Sequence, residues 1–146
     1  MTEHEPLTAD GRMLLALAAR REAEVRRLRA ERSADPAARA RRAAVTAEAL
    51  RLAVQRMFGR PAPPWRMVRF AARRRSDVAG RPYSAATAYS VTSWAAGDTA
   101  AIARIPEDEV QAYALRLFVA IADELRLTEA ELTGLVAAAE RSAGPP

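Results

Sequence analysis

The stretch PEDEVQAYALRLFVAIADELRL, residues 106–127, decides how the chain folds. Proline suits the first turn of a helix because its missing N–H would be unpaired there, and Glu107, Asp108 and Glu109 set three carboxylates against the positive end of the helix dipole. Val110, Ala114, Leu117, Ile121 and Leu125 then recur at helical spacing. Tyr113, Leu115, Phe118 and Ala122 widen this stripe until little of the helix is left for water. The expectation is a central, buried helix over 106–127 with the rest of the chain packed around it.

Composition agrees with an all-α fold. A chain of 146 residues is one domain, long enough to remove roughly two thirds of its unfolded surface from water. Half of the residues are hydrophobic but only 5% are aromatic, so the core is built from Ala, Leu and Val, which favours close helix packing. The expected architecture is a single-domain bundle of five or six helices spanning 1–146.

Working outward, Thr8 or Asp10 caps a helix reaching about residue 32, with Leu14, Leu17, Ala18, Val25 and Leu28 as its stripe. Asp35 and Pro36 restart the chain into a second helix, terminated by Gly59, and the two read as a basic helical hairpin over 1–59. Three prolines in 60–64 make a stiff linker. A third helix follows from 64 to about 79. Trp65, Val68 and Ala72 mark its inner face, with Met67, Phe70 and Ala71 alongside, while Arg66, Arg69 and Arg73 share an outer stripe. Ser84 caps a fourth helix ending near Gly97, and Thr128 with Glu131 reads as a capping box for a last helix. Residues 64–97 thus hold a basic helix and its successor, and 106–143 an acidic core hairpin.

Every one of the 23 basic residues is arginine, a skew expected of a GC-rich coding sequence, so their distribution is more telling than their number. Residues 1–81 carry a balance of +10 and residues 82–146 one of −5. A basic half and an acidic half suggest separate roles. The densest patch is Arg66, Arg69, Arg73, Arg74 and Arg75, with only Asp77 nearby to answer it. Arg39, Arg41 and Arg42 stand near the start of the second helix, where the dipole disfavours cations unless carboxylates or an external anion compensate.

Several chemistries are excluded. Without cysteine there is no disulfide, thiolate metal site or cysteine nucleophile, and without lysine there is no Schiff base and no phosphate-binding P-loop lysine. His4 is the one histidine, which leaves the helices without a Glu-x-x-His metal motif or a catalytic triad. Adjacent acids such as Asp123 and Glu124 point in different directions on a helix, and the run Ser90, Thr92, Ser93 has no base beside it. No catalytic residue, metal site or cofactor is expected. Residues 1–12 lack the basic end and apolar core of a secretory signal, and no apolar run approaches the ~18 residues of a membrane span. The expectation is a soluble, cytoplasmic protein without a membrane partner.

Residues 87–97, TAYSVTSWAAG, resemble the recognition helix and following turn of Cro/CI-type helix-turn-helix proteins, and 121–132, IADELRLTEAEL, resemble that family's closing helices. The two pieces cover about a sixth of the chain. Gly80 and Pro82 occupy the stretch of the family's preceding helix, and 97–121 is longer than its usual spacing. The resemblance implies that Thr87, Ala88, Tyr89 and Ser90 face a DNA major groove while arginines of the preceding helix hold phosphates.

Two functions are therefore expected as alternatives. One is a DNA-binding transcriptional regulator that contacts phosphates through Arg66, Arg69, Arg73, Arg74 and Arg75. The other is a protein–protein interaction or adaptor module whose basic hairpin docks on an acidic partner or on a second copy of the chain as a homodimer. The first rests on the positive charge before residue 82 being left unanswered by the fold.

Overall fold

Asp35 accepts a hydrogen bond from the Ala37 N–H, Pro36 takes the first helical position, and the helix so started runs unbroken to Phe58, where Gly59 (φ 83°) ends it. The computed structural model describes residues 7–74, 76–78 and 80–145, and this helix is the longest of seven among them. In chain order they are α1 (Ala9–Ala18), α2 (Glu22–Glu31), α3 (Pro36–Phe58), α4 (Pro64–Ala72), α5 (Ala85–Ala95), α6 (Glu107–Glu124) and α7 (Glu129–Ala143). His4 and Arg75 lie outside the described residues. The protein is all-helical.

The centre is α3, which corrects the expectation that the 106–127 helix holds that place. Helices α1, α5, α6 and α7 all pack on α3. Its Val45, Ala49, Leu50, Ala53 and Val54 are fully shielded, and the small alanines among them let neighbouring backbones come close on more than one side. Helix α6 does bury the anticipated stripe through Val110, Tyr113, Ala114, Leu117, Phe118 and Ile121. Arg116, Asp123 and Glu124 nevertheless keep its other side at the surface. Helices α6 and α7 each lie against α3 rather than chiefly against one another, so 106–143 is not a self-contained hairpin.

The helix expected from residue 8 to 32 is two helices. Arg20 adopts the left-handed conformation (φ 57°), the Arg21 N–H donates to the Ala16 carbonyl, and the Arg20 N–H donates to that of Leu17. This is a Schellman ending with arginine in the place glycine usually takes. Helix α2 folds back on α1, where Val25 and Leu28 meet Ala16, Met13 and Leu17 in a small satellite core. The helical hairpin of the first half is therefore α1–α2, and α3 belongs to the main core. Nor do Thr8 or Asp10 cap α1 with their side chains. Glu140 does so from α7, accepting the Gly11 N–H at 2.9 Å, the Thr8 N–H at 3.0 Å and the Thr8 hydroxyl.

Residues 73–84 join α4 to α5 and are pinned at their end. The Tyr83 hydroxyl donates to the Ala71 carbonyl at 2.6 Å, and the Ser84 N–H donates to the Tyr113 hydroxyl at 2.9 Å. Burial, helped by the neighbouring Tyr113, pushes the Tyr83 phenol up to about 12 from 10.0. The unfolded phenol ionises first, so the stabilisation is complete below pH 10.0 and disappears as pH rises towards about 12. Alkaline titration of stability should fall across that window, and Tyr83→Phe should flatten the fall; an unchanged slope in the variant would assign the titration elsewhere. Among the described residues, no helix is long and apolar enough to cross a membrane.

Candidate interaction surface

The fold brings the acids of the second half onto the arginines of the first. Arg20 pairs with Asp123, Arg21 with Glu129 and Arg56 with Glu131. Glu124 holds two guanidinium groups at once, Arg73 at 2.8 Å and Arg74 at 2.7 Å, and Arg81 lies 3.8 Å from Glu109. Such exposed pairs add little stability, roughly 0–1 kcal/mol each, but they neutralise the field that an external polyanion would feel. The premise of unanswered charge thus fails for these arginines, among them Arg73 and Arg74 of the expected phosphate-binding set. Asp123, Glu124 and Glu109 are likewise engaged with guanidinium groups rather than gathered for a cation, and among the described residues no group of three or more ligating side chains is placed to hold a metal.

Helix α4 is turned differently from expectation. Its buried face is Met67, Phe70 and Ala71, with Phe70 edge-on to Phe58 at 5.6 Å between ring centroids. Trp65 is 61% exposed and Val68 49% exposed, and Ala72 is exposed with them. Two apolar stripes compete on this short helix, 65-68-72 and 67-70-71, and both satisfy helical spacing. The core takes the second because Phe70 fits against Phe58 and the Ala71 carbonyl receives Tyr83. The first stripe remains as an apolar ridge in water, opposite to the reading that made it the inner face.

Arginines flank this ridge. Arg69 and Arg66 have no carboxylate partner among the described residues; the Arg69 guanidinium lies 5.9 Å from the Trp65 ring centroid and that of Arg66 lies 5.7 Å from Phe58. Arg66 also donates to the Met57 carbonyl at 3.3 Å, and Arg60 is exposed in the preceding linker. The Arg69 guanidinium is held by the Trp65 ring of the ridge and that of Arg66 by Phe58 at the end of α3, and both keep N–H donors for an outside acceptor. Sequence periodicity flagged these arginines but not Trp65 and Val68 as surface residues.

The other expected contacts sit elsewhere. Helix α5 begins as foreseen, with Ser84 accepting the Thr87 N–H, but Ala88 is fully buried, Thr87 and Ser90 are half-buried and Tyr89 packs its ring partly against the core. Thr92 donates to the Ala88 carbonyl at 2.7 Å inside the fold, and Ser93 is buried with no hydrogen-bond partner for its hydroxyl among the described residues. Trp65 and Phe70 occupy opposite sides of α4. Arg75 lies outside the described residues. Comparison with protein-family profiles, with curated proteins and with solved structures found no match to the chain.

Proposed function

We propose that this protein is a protein–protein interaction module that docks the exposed ridge of α4 on an acidic partner, with Trp65 and Val68 as apolar anchors and Arg66 and Arg69 as the charged flank. The observation that carries this reading is the exposure of Trp65 and Val68, the exposed large hydrophobic residues among those described, beside guanidinium groups that have no carboxylate partner among the described residues. Tryptophan and arginine dominate the energetics of protein interfaces because each offers a large, rigid contact with a polar handle. Zero cysteine supports a reducing, cytoplasmic setting for such a module.

A second reading, DNA binding and transcriptional regulation, keeps one observation in its favour: Arg66 and Arg69 would serve phosphate as readily as carboxylate. It asks little of Trp65, however, and Arg73 and Arg74 would first have to leave Glu124. Titration of a labelled acidic amphipathic peptide of Asp, Leu and Phe, and of a labelled DNA duplex, separates the two. Trp65→Ala should weaken the peptide about thirtyfold, the loss of roughly 2 kcal/mol from a buried anchor. Peptide affinity unmoved by Trp65→Ala, together with duplex affinity lost in Arg66→Gln/Arg69→Gln, would replace the first reading by the second.

A further inference from the structure

The α4 ridge calls for a partner with an apolar hollow and an acidic edge, and the chain carries such a surface itself. Faces of α1, α3 and α6, with the end of α2, converge on a groove of about 850 Å3 walled by Met13, Leu14, Leu28, Ala43 and Leu115. Neither α4 nor α5, against which α4 packs, contributes to its lining. The ridge of one molecule therefore meets this groove only on another molecule.

The edge of the groove formed by α6 is the place where the fold leaves acids unanswered. Other carboxylates of α6 and α7 are engaged: Glu109 lies by Arg81, Asp123, Glu124, Glu129 and Glu131 pair with arginines of the first half, and Glu140 caps α1. Glu107 and Asp108, exposed in the first turn of α6, have no cation partner among the described residues. At the opposite edge Asp10 lies 3.9 Å from Arg41, Asp35 caps α3, and Arg42 donates to the Ser33 carbonyl at 2.8 Å. Acids and arginines balance over the whole lining, so the groove selects no free ion. What it leaves uncovered is apolar wall, with Thr46 and Gln111 as acceptors within reach of an indole N–H placed there.

We propose that the groove receives the α4 ridge of a second copy of the chain, which rests on the ridge being the docking surface and supplies its partner. Trp65 and Val68 cover the wall at Met13, Leu28 and Leu115, while Arg66 and Arg69 meet Glu107 and Asp108. Trp65 and Val68 are the exposed large hydrophobic residues among those described, so the ridge is the element of this surface whose chemistry matches the groove. The two contact surfaces differ, so the arrangement is head-to-tail and grows into chains instead of closing as a two-fold dimer. One short helix covers less than the ~800 Å2 that each side of a standard interface buries, so the association is weak, and its charged edge makes it weaker as salt rises.

Sedimentation velocity at low salt tests this. The wild type should associate with rising concentration into species larger than a dimer. Trp65→Ala should weaken that association about thirtyfold, as should Ala40→Arg, which sets a cation on an exposed wall of the groove; Glu107→Gln/Asp108→Asn should weaken it about tenfold. Mixed in equal amounts, Trp65→Ala and Ala40→Arg should form a heterodimer and nothing larger, since one keeps its groove and the other its ridge. A wild type that stays monomeric, a variant that associates as the wild type does, or a mixture as monomeric as its components overturns the proposal. The acidic amphipathic peptide separates the two levels: a monomeric mixture with peptide affinity that still depends on Trp65 excludes the second copy and leaves the ridge as a docking surface, whereas loss of both removes the ridge as well.

Discussion

Gly11→Ala is expected to destabilise the protein by about 2 kcal/mol while Glu140 is present, and to become neutral or stabilising once Glu140 is replaced by alanine. The cause is the tertiary cap on α1. A Cβ at position 11 would lie 2.2 Å from Glu140 Oε1 and 2.7 Å from its Cδ, with Val136 Cγ1 at 3.0 Å. A glutamate tip is ordinarily free to swing away, but this one accepts the Gly11 N–H, the Thr8 N–H and the Thr8 hydroxyl. Moving it gives up charge-assisted bonds to the positive end of α1, each worth about 1.5–3 kcal/mol at best and less at this half-buried position. Glu140→Ala alone should therefore cost about 2 kcal/mol. In that background the carboxylate is gone, Val136 Cγ1 at 3.0 Å has only to give by a few tenths of an ångström, and alanine's helix propensity, better than glycine's by about 1 kcal/mol, shows through. Denaturant unfolding of the four proteins measures the coupling; costs that simply add would mean that Val136, not the carboxylate, resists the methyl group.

Leu50→Ala should cost about 3 kcal/mol and lower the melting temperature by about 10 °C. Leu50 is fully buried on the one helix that α1, α5, α6 and α7 share. Its deletion leaves a cavity on a helix held from several sides, so collapse into the space is only partial and a cavity contribution adds to the lost transfer free energy. Leu115→Ala, at a half-buried position of α6, should cost about a third as much. A Leu50→Ala loss below that of Leu115→Ala would move the centre of the fold away from α3.

Much of the fold is legible in the sequence where a single residue type has a local cause. Asp35–Pro36 with Gly59 delimit α3, Pro106 starts α6, and Thr128 and Glu131 form the reciprocal cap of α7 in both directions. That cap also holds the Glu131 carboxyl below its usual range, through the Thr128 N–H and then its hydroxyl. What escaped reading has tertiary causes. The break at Arg20 carries no glycine; Arg20 and Arg21 reach Asp123 and Glu129, more than a hundred residues away, and those pairs are invisible to local pattern. The cap on α1 comes from α7. The rotation of α4 turns on which of two apolar stripes finds a better socket, and periodicity alone cannot rank them. Charge asymmetry between the halves is plain in the sequence, but not which arginines the fold answers: Arg20, Arg21, Arg56, Arg73, Arg74 and Arg81 meet acids of the second half.

The function proposed rests on the exposed ridge of α4, where Trp65 and Val68 stand beside Arg66 and Arg69. A Trp94→Phe protein, with Trp65 as its remaining tryptophan, turns the ridge into its own reporter. Trp65 emission measured during titration with the acidic amphipathic peptide should shift to the blue and saturate as the exposed indole leaves water, while a DNA duplex at the same low salt should leave it nearly unchanged. Emission indifferent to the peptide, with duplex binding that falls between about 50 and 200 mM salt as steeply as five phosphate contacts demand, would contradict the account.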